Sequence, residues 1–125
     1  MSEEERVDVI VVGAGLSGLS CALTLVEAGH EVLVVERGDP AGAKNLSGGR
    51  LYLGPLKPIA NDLLEGAPFE RLVTRETLSL LSPHSSTHIT HDNADLGDDD
   101  RKSYTVLRAR LDSWLADKVS EAGGM

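Results

Sequence analysis

The sequence predicts an α/β fold, and three stretches carry that expectation: a β-branched run that breaks at glycine, an amphipathic helical run behind it, and a second β-branched run. Val7-Asp8-Val9-Ile10-Val11-Val12 reads as a central parallel strand, because a near-continuous apolar run suits a strand covered on both faces. From Leu16 to about Ala28, the residues Leu16, Leu19, Leu23 and Val26 recur at helical spacing, and Gly29 is placed to close the helix. Glu31-Val32-Leu33-Val34-Val35-Glu36 reads as the second buried strand. A right-handed crossover sets such strands side by side and parallel. Residues 7–36 are therefore expected to form one Rossmann-like βαβ unit.

Beyond it, Gly38-Asp39-Pro40-Ala41-Gly42-Ala43-Lys44-Asn45 and then Ser47-Gly48-Gly49-Arg50 read as one long loop, rich in turn residues. Pro58 to Glu65 is expected to form a short helix ended by Gly66. Leu78 to Leu81, Thr87 to Thr90 and Tyr104 to Leu107 read as short strands of a small antiparallel excursion over about residues 69–107. The acidic stretch Asp95 to Asp100 reads as a solvated loop within it. In a returning helix over 108–124, Leu111, Trp114, Leu115 and Val119 share one face, and Gly123 and Gly124 end it.

Lys and Arg total 12 against 20 Asp and Glu, a net charge of -8, so a nucleic acid backbone is repelled. An anion site at a helix end is still allowed, because it uses local amides rather than net charge. The single Cys21 forms no intrachain disulfide, and Ser2-Glu3-Glu4-Glu5-Arg6 is too acidic for a secretory signal, which points to a cytoplasmic setting. The longest apolar run is interrupted by Gly13, Gly15 and Gly18, so no transmembrane segment is expected, and peripheral membrane contact stays open. Cys21, among Leu19, Ala22 and Leu25, reads as a small buried thiol. His84, His88 and His91 lie in a Ser/Thr-rich strand and turn and read as solvent-facing rather than as metal ligands. Ser17 and Ser20 lack the G-x-S-x-G elbow of a hydrolase.

Gly13-Ala14-Gly15-Leu16-Ser17-Gly18 matches GxGxxG, and its context gives it weight: it follows a buried strand, opens a helix, and precedes an acidic strand end, Glu36, by 18 positions. Gly13 permits the tight turn, Gly15 lets a pyrophosphate approach the backbone, and Gly18 lets helix and strand pack closely. The helix start adds free amides and a positive dipole end. Glu36 is placed to accept hydrogen bonds from an adenosine ribose and repels a 2′-phosphate, and Arg37 follows it at the mouth of the site. These features predict a dinucleotide without choosing FAD over NAD.

Two further segments bear on that choice. Ala41-Gly42-Ala43-Lys44-Asn45-Leu46-Ser47-Gly48-Gly49-Arg50-Leu51-Tyr52 resembles the corresponding loop of FixC-type flavoproteins, relatives of electron transfer flavoprotein-quinone oxidoreductase. Tyr104-Thr105-Val106-Leu107-Arg108-Ala109-Arg110-Leu111-Asp112-Ser113-Trp114-Leu115 is similar to that family's segment YxVLRxxxDxWL. The resemblance implies a glutathione-reductase-like FAD domain of which residues 1–125 are the N-terminal part, incomplete, with later FAD-contacting elements beyond it. It further implies that Lys44, Asn45, Ser47, Gly48, Gly49 and Arg50 lie near the flavin and that Arg108 faces the cofactor. The alternative for Arg108 is a surface ion pair with Asp112 at helical spacing. The implied activity is electron transfer from an electron transfer flavoprotein or a dehydrogenase, through FAD, to a ferredoxin-like protein or quinone. The other readings are a geranylgeranyl-reductase-like or monooxygenase-like flavoenzyme, an NAD-binding dehydrogenase, and a non-catalytic nucleotide-binding module.

Overall fold

The computed structural model describes residues 6–57, 64–93 and 101–125. Strand β1 (Val9–Val12) leads through a glycine turn into helix α1 (Leu16–Glu27), which returns the chain to β2 (Val32–Val35). The two strands are parallel, with Val9 opposite Val32 and Val12 opposite Val35. The helix ends at Ala28, with Gly29 in a left-handed conformation directly after it. The expected βαβ unit is therefore present.

Strand β3 (Gly48–Tyr52) and a 3-10 turn at Gly54–Leu56 are followed by β4 (Phe69–Leu72), β5 (Arg75–Leu81), β6 (Ser86–Asp92), β7 (Ser103–Leu107) and helix α2 (Arg108–Glu121). These strands make two antiparallel units: a sheet ordered β3-β7-β4, and a hairpin of β5 and β6. The stretch from Ser47 to Arg50, read as loop, is thus corrected: from Gly48 it pairs along β7, with Gly49 opposite Val106 and Leu51 opposite Tyr104. Glycine carries weak strand propensity, and only the long-range partner reveals the strand. Phe69 stacks on Tyr104 across β4 and β7, with ring centroids 4.6 Å apart. Of the expected Pro58–Glu65 helix, residues 58–63 lie outside the described residues, as do residues 94–100, which carry the acidic stretch.

The core lies between the helices and the parallel pair. Leu19, Ala22 and Leu23 of α1 meet Leu115 and Val119 of α2 over Ala14 and Val32, and Val9, Val11 and Val34 pack against the cluster. The expected apolar face of α2 is observed, with Leu111, Leu115 and Val119 buried and Trp114 half-buried at its edge. Gly124 fits against Val119 and Val26. Beyond it, Met125 donates to the Val32 carbonyl and accepts from the Val34 amide, the ladder of a parallel neighbour beside β2.

Two expectations about burial are corrected. Among the described residues β1 is covered on one face: Val9 and Val11 face the helices, while Ile10 is 58% and Val12 85% exposed on the other side with Val35. Within the described residues both helices pack on a single face, and alternation sends every second side chain away from them. Cys21 is exposed rather than buried. It sits between Ser20 and the buried Ala22, and the 100° step per residue carries it to the solvent side of α1. His84, His88 and His91 are exposed, as expected.

On the hairpin, Thr77 pairs with Thr90, Ser79 with His88 and Arg75 with Asp92 on one face, while Leu78, Leu80 and Ile89 occupy the other, exposed face. Burial predicts how truncation divides between these sites. Leu23→Ala is expected to destabilise the fold by about 2–5 kcal/mol, because Leu23 is 1% exposed in the helix interface. Leu78→Ala should stay within about 0.5 kcal/mol. Urea denaturation of the two variants checks the contrast, and equal losses would contradict this placement of the core.

Candidate functional site

The site begins where β1 stops. Gly13 adopts φ +102°, a conformation that penalises any side chain, and its amide donates to the Val35 carbonyl at 2.7 Å, tying the turn to the end of β2. A Cβ on Gly18 would collide with the Gly13 carbonyl oxygen and come within 3.2 Å of Val11 Cγ1. Gly18 is therefore the residue that lets α1 start directly over the strand. A Cβ on Gly15, by contrast, would meet nothing within 4 Å. That open space lies before the first turn of α1, which no side chain caps and which carries no acidic residue. Leu16, Ser17 and Gly18 supply that turn, whose amides have no intrahelical acceptor, so the turn presents N–H donors and the positive dipole end to the opening. An anionic diphosphate fits this chemistry.

Glu36 closes one side. Its Oε2 accepts from the Ala14 amide at 2.8 Å and its Oε1 from the Gly38 amide at 2.6 Å. The Gly38 and then the Ala14 N–H hold this carboxyl below its usual range, with a smaller contribution from Lys44. Glu36 and Arg37 are both exposed, as a ligand-facing strand end requires. Beside Glu36 a cavity of about 180 Å³ is lined by Ala14, Leu19, Val34, Ala41, Ala116 and other residues at the ends of α2 and the chain.

The loop after β2 runs back over α2. Asn45 donates through its amide to Asp112, and the Arg108 amide donates to the Ser47 carbonyl at 3.2 Å. Arg108 grips Asp112 with two bonds of 3.0 Å, from Nε to Oδ1 and from Nη2 to Oδ2. The pair expected at helical spacing thus forms, but it is no surface pair, since Asp112 is fully buried. Asp112 raises the Arg108 guanidinium further above its ordinary range.

Lys44, Ser47, Gly48 and Gly49 are exposed along this loop and the start of β3, and a Cβ on Gly49 would meet open space. Arg50 follows in β3. Its Nε donates to Ser103 Oγ at 2.8 Å, it forms an ion pair with Glu76, and its guanidinium lies 4.4 Å from the centre of the Tyr52 ring. Strand alternation places Arg50 and Tyr52 opposite Leu51. Arg50 and Tyr52 line a cavity of about 320 Å³ between β3 and the hairpin, together with Glu76, His91, Asn93 and Arg101. Leu51 borders an apolar cavity of about 70 Å³ with Leu16, Leu23, Leu111 and Trp114. The structure therefore brings the glycine turn and Glu36 together at one opening, joins Asn45 and Arg108 through Asp112 with Ser47 bonded to the Arg108 amide, and bonds Arg50 to Ser103 and Glu76. Among the described residues no group of three His, Cys, Asp or Glu is arranged to hold a metal ion, and no helix is long and apolar enough to cross a membrane.

Comparison with known proteins identifies the family. The family described as FAD dependent oxidoreductase matches residues 8–121. The chain belongs to that family. It is 45% identical over 120 residues to protein FixC of Escherichia coli O157:H7, and equally so to the probable electron transfer flavoprotein-quinone oxidoreductase YdiS of E. coli K12. Each match covers 96% of this chain but 28% of the relative, so the chain spans little more than a quarter of those proteins. The FixC resemblance read from the sequence is borne out, and the family's cofactor is FAD.

Among solved structures, a geranylgeranyl bacteriochlorophyll reductase-like protein of Thermoplasma acidophilum aligns with a TM-score of 0.74 at 23% identity, covering 96% of this chain and 29% of its own. The myxobacterial chondrochloren halogenase CndH, an FAD-dependent halogenase, aligns at 0.73 and 24%, covering 94% and 27%. At such identities the likeness concerns the α/β fold alone.

Three substitutions test the site. Gly18→Ala should cost about 1–3 kcal/mol through overpacking, while Gly49→Ala stays within about 0.5 kcal/mol; urea denaturation separates them. For Glu36, a lowered folded pKa makes its contribution complete above the ordinary value of 4.5 and lost as pH falls through the lowered one. Glu36→Gln is therefore expected to lose that contribution near neutrality and to flatten the acid limb of the urea midpoint as pH falls below the ordinary carboxylate value. An unchanged limb would remove the carboxylate from this role.

Proposed function

We propose that residues 1–125 are the N-terminal part of an FAD-binding domain, and that the whole protein passes electrons from a donor flavoprotein or dehydrogenase through FAD to a quinone or a ferredoxin-like protein. The observation that carries the reading is the uncapped start of α1 behind Gly13 and Gly15, with the ionised Glu36 beside it. In this reading residues 7–36 hold the ADP half of the cofactor, residues 69–107 form the antiparallel excursion on the substrate side, and residues 108–124 return the chain to the parallel sheet. The similarity to FixC and to YdiS, a probable electron transfer flavoprotein-quinone oxidoreductase, supports an electron-transfer role with partners of that kind. A cytoplasmic protein, touching the membrane at most from its surface, suits a quinone acceptor.

Each residue then has a physical task. Gly13, Ala14, Gly15, Leu16, Ser17 and Gly18 surround the pyrophosphate with amides and the helix dipole. Glu36 accepts from the ribose hydroxyls, Arg37 flanks it, and the alanine-rich cavity beside Glu36 suits a flat adenine. Lys44, Asn45, Ser47, Gly48 and Gly49 lie toward the flavin, and Arg108 offers Nη1, which has no partner among the described residues. Arg50 is assigned with them to the flavin side, where its guanidinium, beside Ser103, Glu76 and Tyr52, lines the cavity between β3 and the hairpin. The bound flavin supplies the redox chemistry, while the protein orients it and sets its surroundings. No acid or base is assigned.

Visible absorption of the desalted full-length protein and of the 1–125 chain tests the proposal. A two-banded flavin spectrum in the full-length protein, and none in the short chain, is the expected result. A colourless full-length protein that takes up no added FAD would overturn the assignment of this site.

A further inference from the structure

Asp112 is a carboxylate with no exposed surface, on a helix face otherwise given to Leu111, Leu115 and Val119. Burying a charge is costly unless donors surround it, and an apolar residue of similar size fills such a position as well or better for stability alone. Here all three side-chain donors come from residues of the loop and helix that the proposed function assigns to the cofactor: Arg108 through Nε and Nη2, and Asn45 through Nδ2. Two backbone features lock the same joint. The Arg108 amide donates to the Ser47 carbonyl, and Gly42, at φ +82°, lies so close to α2 that a Cβ would sit 2.7 Å from the Ala109 carbonyl oxygen and 3.0 Å from Asp112 Cβ.

We propose that Asp112 is a positioning residue of the flavin site: one buried carboxylate that fixes the loop of residues 42–47 and the Arg108 guanidinium in a single geometry, so that Lys44, Ser47 and Arg108 meet the cofactor pre-arranged. The inference rests on the FAD reading of the site. Asp112 touches no cofactor in this arrangement and acts through Asn45 and Arg108. With one N–H each of Nε and Nη2 engaged, the guanidinium plane is fixed, and Nη1 with the second Nη2 hydrogen is left for a phosphate or a flavin oxygen. The carboxylate also offsets the Arg108 charge, so this part of the site gains a directed donor more than a net positive field.

The test is a double-mutant cycle on FAD binding in the full-length protein, with FAD Kd read by quenching of flavin fluorescence and the bound ring read by visible circular dichroism. Asp112→Ala and Asn45→Ala are each expected to weaken FAD binding, Asp112→Ala by about tenfold or more. The double variant should be no weaker than Asp112→Ala, because both remove the same clamp. Asn45→Asp leaves the α2 core intact and opposes Asp112 with a second carboxylate, and it should give the same loss and the same change in dichroism even if Asp112→Ala fails to fold. Wild-type Kd and dichroism in Asn45→Asp or Asp112→Ala would overturn the proposal, as would multiplicative losses in the double variant. A lower urea midpoint with unchanged Kd would make Asp112 a packing residue only. Failure of the wild-type protein to bind FAD would instead overturn the functional reading and this inference with it.

Discussion

The start of α1 over the end of β1 is the constraint from which the rest of the α/β unit follows. Gly18 lies against the Gly13 carbonyl and Val11, and no side chain fits between them. With the helix held that close, the turn amides reach the end of β2: Gly13 bonds the Val35 carbonyl and Ala14 bonds the Glu36 carboxylate. The same approach sets Leu19, Ala22 and Leu23 at the depth where Leu115 and Val119 of α2 close over them. α2 then returns through Gly124 to Met125, which bonds β2. A displacement of α1 would loosen the glycine turn and the helix interface together, because one packing distance serves both.

The second unit depends on the first through α2. β7 is the central strand of the antiparallel sheet, and α2 starts at Arg108, the residue after its last. The orientation of β3 is thereby tied to a helix already seated in the core. Gly49 faces open space at one end of β3, while Arg50 turns to Ser103 and Glu76. The pleat therefore divides a stretch that looks uniform in sequence into one part near the nucleotide-binding unit and one part that joins β3 to the hairpin.

Much of this arrangement was legible in the sequence where local pattern and spacing determine structure. The β-branched runs, the helical spacing of Leu16, Leu19 and Leu23, and the glycines with Glu36 each demand a backbone that few other sequences need. Less was legible where a distant partner decides. Gly48 and Gly49 carry no strand signal of their own, and only the register with Leu107 and Val106 makes them a strand. Asp112 was visible as a partner for Arg108, but an i,i+4 pair ordinarily lies in solvent, and its burial follows from how α2 seats on α1 and the loop. Cys21 shows the reverse error: apolar neighbours suggested burial, whereas the angle about the helix axis set its exposure. Ile10 and Val12 have the composition of a covered strand face, and within the described residues nothing covers them.

The charge of the chain sharpens what the turn selects. At a net charge of -8, long-range attraction does not draw an anion to this protein, so binding must come from donors within a few ångströms. The first turn of α1 supplies such donors as fixed amides, which need no counter-charge and lose little conformational freedom on binding. Glu36, held ionised by the Gly38 and Ala14 amides, sits at the edge of the same opening and reverses the preference there. A ligand that places phosphate at the helix start and hydroxyls at Glu36 satisfies both, whereas one with phosphate at each position meets repulsion at the second. In the proposed reading, an uncapped helix paired with a strand-end carboxylate of lowered pKa suits a ligand whose diphosphate is followed by an unphosphorylated ribose, with both groups held by the backbone of one βαβ unit.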